Sequence, residues 1–184
     1  RQAARLIKDG DTLAVSGFLL ATTPSELLRE IGNRFLEEGH PRNMTLLQAA
    51  GTGNNGDEGI MEISHRGMVR RYLTGHFARN RRLAEQASKH EIEAYNFPQG
   101  VLSKMYRALS SGQKGVLTTI GLHTFVDPRE GGGKLTDITT EDLVELVTLD
   151  GEEYLYYKAQ PVDVAIIRGT TADEQGNITM EEES

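Results

Sequence analysis

The chain has 184 residues, with 27 Asp and Glu against 20 Lys and Arg, and it contains no Cys. This length suits one domain, or one and a half, with a sizeable core. The absence of Cys excludes a disulfide framework, a thiolate nucleophile and Cys-ligated metal centres, and it suits a cytoplasmic location. A net charge of −7 disfavours nucleic acid as a partner. No stretch reaches the ~18 consecutive apolar residues of a membrane span.

Predicted strands and helices alternate through the first half of the chain. β-branched and apolar runs predict strands at Thr12–Gly17, Met44–Ala50, Met68–Thr74 and Ile92–Phe97. Apolar residues at helical spacing predict helices at Gln2–Lys8, after Thr23, near Ile60–Ser64, at Arg79–Ser88 and at Pro98–Leu109. Because strands alternate with helices, we expect an α/β fold whose open, largely parallel sheet is flanked by helices.

The helix after Thr23 carries a sequence signal for its first residue. In Thr23-Pro24-Ser25-Glu26, a hydroxyl at the N-cap, a proline at the first helical position and a glutamate three residues after the cap form a capping box. We therefore expect the Thr23 side chain to cap this helix.

The second half of the chain has a different pattern. A strand at Gly115–Ile120 is followed by a long glycine-containing loop, Gly121–Lys134. Asp150-Gly151 between two strand-like runs predicts a β-hairpin near residues 143–158. Val162–Arg168 is a continuous apolar run after a proline, which is typical of a buried strand. A turn then leads into a short last strand at Ile178–Met180.

Glycines lie at the ends of apolar runs, where open α/β folds hold their ligands. Gly51–Gly56 follows a predicted strand and matches the G-x-G-x-x-G dinucleotide pattern. Arg70–His76, where that motif would need an acidic residue, contains no carboxylate, so we expect no nicotinamide cofactor. The backbone N–H groups of the loop can still hold a carboxylate or a phosphate. Gly131-Gly132-Gly133-Lys134 is not a phosphate loop, since Leu135 replaces the required Ser or Thr.

Other polar residues leave alternatives open. Gln99 follows Pro98 in the first turn of a predicted helix, where unpaired N–H groups attract anions. It either binds a carboxylate or caps its own helix, and the spacing favours neither. The region Arg66–Arg82 holds six Arg and no Asp or Glu, which indicates a binding footprint or a solvated outer face. The five His lack the spacing of metal ligands.

An ordered set of motifs extends over the whole chain. In order they are Val15-Ser16-Gly17-Phe18 with Pro24, Gly53-Asn54-Asn55-Gly56, Phe97-Pro98-Gln99-Gly100, Thr124-Phe125-Val126-Asp127-Pro128-Arg129 through Gly133-Lys134, and Asp163-Val164-Ala165 with Asp173, Gly176 and Asn177. Together they resemble the first half of a family I CoA-transferase, and they are most similar to the acetate/propionate and 3-oxoacid CoA-transferases.

The resemblance implies an open α/β domain over residues 1–184, truncated at both ends, that pairs with a homologous second half. Such enzymes move CoA from a short-chain acyl-CoA to a free acid or 3-oxoacid by ping-pong chemistry through a glutamyl-CoA thioester. Their nucleophilic glutamate lies in the second half, so no catalytic residue is expected here. Glu130-Gly131-Gly132 also reads Glu-x-Gly, but its position matches a different element of the first half. Coenzyme A is then a substrate, no cofactor or metal is permanently bound, and a homo-oligomer is expected.

The resemblance also implies which residues position substrate. The expected substrate-binding residues are Gln99, Gly100, Asn54, Asn55, Gly17 and Phe18. Gln99 matches the glutamine that contacts the substrate carboxylate, and the two asparagines match the loop beside the reacting centre. At Ser16, Leu19 and Thr22 the chain departs from the glycines of the family.

A second interpretation is a regulatory domain that senses sugar phosphates, because related open α/β folds bind phosphorylated sugars. The long loop Gly121–Lys134 and the arginines of Arg66–Arg82 support it. Thermal stabilisation by sugar phosphates but not by CoA esters would favour this interpretation.

Overall fold

A computed structural model describes residues 1–54 and 56–183, and it confirms the predicted α/β class. The strands are β1 (Thr12–Val15), β2 (Met44–Gln48), β3 (Val69–Thr74), β4 (Glu93–Asn96), β5 (Gly115–Thr118), β6 (Val144–Leu149), β7 (Glu152–Lys158), β8 (Val164–Ile166), β9 (Thr171–Ala172) and β10 (Ile178–Thr179). The helices are α1 (Ser25–Glu38), α2 (Arg81–Ser88) and α3 (Gln99–Ser110). Short 3₁₀ helices lie at Ala3–Leu6, Gly59–Ile63 and Pro128–Glu130.

Five parallel strands form the main sheet, in the order β4-β3-β2-β1-β8. All five residues of β2 are buried, as expected for a strand with neighbours on both sides and helices on both faces. A second, antiparallel sheet has the order β5-β7-β6, and β9 pairs with β10 in a small hairpin. The strand that starts at Gly115 therefore belongs to the second sheet.

The predicted β-hairpin near residues 143–158 is confirmed. Strands β6 and β7 are antiparallel, with Val144 opposite Tyr157 and Leu149 opposite Glu152. The turn residues Asp150 and Gly151 have φ angles of 51° and 84°, which suits the turn type that Asp-Gly favours.

Each face of the parallel sheet has its own apolar core. Helices α1 and α2 cover one face, where Leu28, Ile31 and Leu83 pack in the cluster that also contains Leu13 and Leu46. Helix α3 and the antiparallel sheet cover the other face. That second core contains Leu47, Leu73, Tyr95, Val101, Leu102, Met105, Leu155 and Tyr157.

The start of α1 differs from the capping-box prediction, which is wrong in detail. The helix begins at Ser25, with Pro24 at the N-cap and no side-chain capping bond. The Thr23 hydroxyl donates instead to the Leu19 carbonyl oxygen at 2.8 Å. A hydrogen bond within the preceding loop has therefore replaced the helix cap.

Three other predicted elements are shorter or less buried than expected. The helices predicted at Gln2–Lys8 and Ile60–Ser64 are 3₁₀ helices at Ala3–Leu6 and Gly59–Ile63. Strand β8 lies at an edge of the parallel sheet, so Ala165 is exposed, and Ile167 just beyond it is half exposed. Among the described residues, no helix has the length and apolar character needed to cross a bilayer.

Candidate functional site

The loops that carry the predicted substrate residues meet at one edge of the main sheet. Strands β1 to β4 and β8 are parallel, so their carboxyl ends lie along the same edge. Open α/β sheets bind their ligands outside this edge. Five of the predicted site residues follow strands at this edge: Gly17 and Phe18 after β1, Asn54 after β2, and Gln99 and Gly100 after β4. Gly75, which the sequence did not single out, follows β3 at the same edge.

Gln99 is the first residue of α3, and its side chain is exposed. It lies against Gly75, the residue that follows β3. A Cβ atom at Gly75 would clash with the Gln99 Cγ atom and would lie 2.6 Å from the Ala49 carbonyl oxygen. Within residues 1–54 and 56–183, the Gln99 amide has no hydrogen-bond partner. Both ends of this amide can therefore reach a ligand, and the alternative that it caps its own helix is not observed.

The first turn of α3 adds backbone donors beside this amide. The Val101 and Leu102 N–H groups donate to the Pro98 carbonyl oxygen at 2.9 and 3.1 Å. The N–H groups of Gln99 and Gly100 precede these bonds, at the positive end of the helix dipole. The space above Gly100 is open, since a Cβ atom there would meet no heavy atom within 4 Å. The arrangement suits a carboxylate or a carbonyl oxygen.

Hydrogen bonds across the sheet fix the segment that precedes α3. The Asn96 side chain and the Phe97 N–H both donate to the Thr74 carbonyl oxygen, at 2.9 and 3.1 Å. The Asn96 N–H donates to the Gly133 carbonyl oxygen at 2.9 Å. Gly133 is packed so closely that a Cβ atom would lie 2.9 Å from the Asn96 carbonyl oxygen. The Gly-Gly-Gly-Lys motif thus supports the residues that place Gln99.

Asp127 holds the loop that leads to Gly133. Its fully buried carboxylate accepts from the His123 and Arg129 N–H groups, both at 3.0 Å, and from Arg129 Nε and Nη2 at 2.9 and 2.8 Å. The Arg129 side chain and these N–H groups hold the pKa of Asp127 well below its usual value. Asp127 and Arg129 of the Thr-Phe-Val-Asp-Pro-Arg motif therefore hold this loop in place. Glu130 is exposed at the end of the adjoining 3₁₀ helix.

Asn54 shapes its own loop. Its side-chain oxygen accepts from the Gly56 N–H at 2.8 Å, and its side-chain nitrogen donates to the Glu58 carboxylate at 3.0 Å. These two bonds tie the Asn54 side chain to its own loop, where a dinucleotide-binding motif would begin a helix. Asn55, the other predicted asparagine, lies outside the described residues.

The loop after β1 is pinned to the loop after β2. Gly17 has a φ of 115°, and a Cβ atom there would lie 2.5 Å from Thr23 Oγ1. The Leu19 N–H donates to the Gly51 carbonyl oxygen at 3.0 Å, and the Leu19 carbonyl oxygen accepts from the Gly53 N–H at 2.5 Å. The phenyl ring of the predicted site residue Phe18 is 54% exposed, at the tip of this loop.

Leu19 and Thr22 occupy two of the positions where the sequence departs from the glycines of the resembled family. Both nevertheless have positive φ angles, of 56° and 53°. Left-handed backbone costs a non-glycine residue roughly 1–2 kcal/mol. The loop therefore keeps backbone angles that favour glycine at two positions that are occupied by other residues.

A buried polar chain beneath the loop after β2 has no simple sequence signal. Tyr72 Oη donates to Gln48 Oε1, and Gln48 Nε2 donates to Thr52 Oγ1, each at 2.9 Å. All three side chains are fully buried. Burial raises the pKa of Tyr72, so the phenol remains a hydrogen-bond donor. This chain ties the end of β2 to the glycine loop that carries Asn54.

The structure separates the arginines of the region Arg66–Arg82 into different roles. Arg71 pairs with Glu93 at 2.5 Å and with Glu141 at 2.7 Å. Other members form ion pairs between Arg66 and Glu91, Arg70 and Glu93, and Arg82 and Asp57. Arg79 packs its side chain over Gly51, where a Cβ atom would lie 2.8 Å from the Arg79 Cβ atom. The region is mainly an ion-paired outer face, and Arg79 is the member that lines the site.

The family model described as coenzyme A transferase matches residues 1–184. The chain belongs to the coenzyme A transferase family. It is 42% identical over 183 residues to the caffeate CoA-transferase of Acetobacterium woodii, a match that covers all of this chain and 35% of that protein. It is 30% identical over 170 residues to the alpha subunit of the acetoacetyl-CoA:acetate/butyrate CoA transferase of Clostridium acetobutylicum, covering 92% of this chain and 68% of that subunit.

Solved structures of this family share the fold of the chain. A crystal structure of an Escherichia coli acyl-CoA transferase, described as a thioester complex with CoA, superposes with a TM-score of 0.95 at 40% identity, covering 99% of this chain and 36% of that chain. Glutaconate coenzyme A-transferase from Acidaminococcus fermentans shares the fold at 20% identity, with a TM-score of 0.74. This coenzyme A transferase chain spans about a third of the length of the first curated relatives it matches, 35% in each case.

Proposed function

We propose that this chain supplies the substrate-positioning half of an acyl-CoA:carboxylate CoA-transferase. One observation carries the proposal: at the sheet edge where open α/β folds bind ligands, the Gln99 amide lies beside the first two N–H groups of α3, and none of these donors has a hydrogen-bond partner among residues 1–54 and 56–183. Family membership supports the reaction class, and it favours this interpretation over a sugar-phosphate sensor.

The proposed chemistry assigns positioning to this chain and covalent catalysis to the second half. A glutamate of that half would take CoA from the acyl-CoA donor as a thioester and release the donor acid. The acceptor acid would then receive CoA from the same glutamate. The Gln99 amide and the first α3 N–H groups would orient the reacting carboxylate, and they would stabilise the oxyanion that forms on the same oxygen when CoA adds to the activated acyl group. An amide donates to a carboxylate without neutralising it, so the acid keeps its nucleophilic charge.

The same proposal extends to partners and location. The second half would come either from a separate subunit or from the same polypeptide, with Asn54, Gly17 and Phe18 near the junction. Short-chain acyl-CoA and a free acid or 3-oxoacid would be the substrates. We further propose a homo-oligomer that acts in the cytoplasm, which the cysteine-free composition suits.

The experiment that tests this proposal replaces Gln99 in the active assembly of this chain with the nucleophile-bearing half. Gln99→Met keeps the length of the side chain and removes its hydrogen bonds. We expect kcat/KM for the carboxylate to fall about 100-fold, the usual effect of removing one donor to a developing oxyanion. Gln113→Met is the matched control, because Gln113 is an exposed glutamine beyond the other end of α3.

Two results would contradict the proposal. The first is an assembly that transfers no CoA between any acyl-CoA and carboxylate pair. The second is a Gln99→Met variant with the kcat/KM of the Gln113→Met control, which would place substrate positioning elsewhere in the protein.

A further inference from the structure

A groove lies between the loops that follow β1 and β2. Its volume is about 510 Å³, and its lining residues are Phe18, Leu19, Leu20, Ala21, Gly53, Asn54 and Arg79. One wall is formed by the apolar side chains of the β1 loop, of which Phe18 and Leu20 are 54% and 44% exposed. Asn54 and Arg79 provide the polar rim. A groove with one apolar wall and a few polar groups suits the hydrocarbon part of a small acid.

The backbone of Leu19 is fixed on both sides. Its N–H donates to Gly51, and its carbonyl oxygen accepts from both the Gly53 N–H and the Thr23 hydroxyl, at 2.5 and 2.8 Å. These bonds hold Leu19 at a φ of 56°, a conformation that leucine disfavours. These bonds therefore fix the point from which the Leu19 side chain enters the groove lining.

We infer that this groove holds the acyl chain of the substrate and that Leu19 sets the length of chain it accepts. The inference rests on the proposed function, and it deepens it by naming the residue that limits the length of the acyl chain. Glycine at position 19 would satisfy the backbone without strain and would leave the groove larger. Leucine instead fills part of it, so a longer chain must displace a side chain whose backbone cannot yield. Backbone strain of this kind persists where surrounding contacts over-determine it, often at ligand sites.

Thr22 provides a matched control within the same loop. It has nearly the same φ, 53°, and it does not belong to the groove lining. Leu19→Gly and Thr22→Gly relieve the same kind of backbone strain, but only the first enlarges the groove. Neither substitution is expected to lower the melting temperature by more than a few degrees, because glycine adopts positive φ freely.

The test measures kcat/KM of the active assembly for acetate, butyrate and hexanoate as acceptors from one acyl-CoA donor. Each methylene newly buried in an apolar site favours binding about fourfold. We therefore expect Leu19→Gly to raise the hexanoate-to-acetate ratio of kcat/KM at least tenfold. Leu19→Ala, which keeps a Cβ atom, should raise it by a smaller factor. Thr22→Gly should leave the ratio within twofold of wild type.

The experiment distinguishes failure of the proposed function from failure of the role assigned to Leu19. A wild-type assembly without any transfer activity overturns the proposed function and this inference with it. Wild-type activity combined with an unchanged ratio in both Leu19 variants overturns only the role of Leu19. An equal shift in Thr22→Gly also overturns it, since loop flexibility and not groove volume would then control chain length.

Discussion

Replacing Asp127 by Asn tests whether this carboxylate, in the Thr-Phe-Val-Asp-Pro-Arg motif, braces the loop that leads to Gly133. The carboxylate is fully buried and accepts four hydrogen bonds, two from backbone N–H groups and two from the Arg129 guanidinium. Asparagine keeps one oxygen and turns an NH₂ group toward donors. Through Gly133, the loop that Asp127 holds also supports Asn96, three residues before Gln99.

The expected cost of Asp127→Asn follows from these contacts. Hydrogen bonds to a charged group contribute ~1.5–3 kcal/mol each, and about half of the four would be lost. Arg129 is 42% exposed, so water recovers part of its interaction energy. We therefore expect the free energy of unfolding to fall by about 3 kcal/mol, which lowers the melting temperature by roughly 6–12 °C in a protein of this size.

Urea and thermal unfolding of wild type and Asp127→Asn would measure this loss. Asp142→Asn is the control, because Asp142 pairs with Lys134 but is 73% exposed, and its loss should cost no more than about 0.5 kcal/mol. Equal destabilisation by the two substitutions would refute the bracing role of the Asp127 carboxylate.

The stability difference between wild type and Asp127→Asn should also depend on pH. The folded-state pKa of Asp127 is lowered, because Arg129 and the N–H groups favour the charged carboxylate. In the unfolded chain the pKa of this carboxyl group is about 3.9. Because its pKa is lower in the folded state, the charged carboxylate stabilises the fold at pH values above about 3.9, and this stabilisation is lost as the pH falls below that value. The difference between wild type and Asp127→Asn should be constant from pH 8 to 5 and should shrink below about pH 4. A difference that grows on acidification would contradict this assignment.

Two further predictions concern the support of the site. Tyr72→Phe removes the donor to Gln48 in a fully buried chain, so the free energy of unfolding should fall by about 1–3 kcal/mol in urea denaturation; an unchanged midpoint would show that the chain adds no stability. Gly75→Ala places a Cβ atom against Gln99 and should lower kcat/KM of the active assembly at least tenfold. A Gly75→Ala variant with the kcat/KM of wild type would argue against displacement of Gln99.

The parallel sheet could be predicted because its strands read as apolar runs separated by helical patterns. The hairpin could be predicted because Asp150-Gly151 suits one turn type. In both cases the signal is local, within a few residues of the element it specifies. The position of Gln99 at the start of α3 followed from Pro98 in the same way.

The remaining features depend on contacts between distant residues. Tyr72 and Gln48 meet only because β2 and β3 are neighbours in the sheet. The left-handed conformation of Leu19 opposes its own preference, and it is imposed by Gly51 and Gly53 of another loop. Sequence patterns carry none of this information without the register of the strands.

The proposed division of labour between this chain and a second, nucleophile-bearing half is tested most directly by mapping where CoA becomes attached. The active assembly would be incubated with an acyl-CoA, digested, and its peptides analysed by mass spectrometry for the added mass of one CoA. We predict a CoA-modified glutamate in the second half and none among the peptides of residues 1–184. A CoA adduct on Glu130, abolished by Glu130→Gln, would contradict the assignment of this chain to substrate positioning.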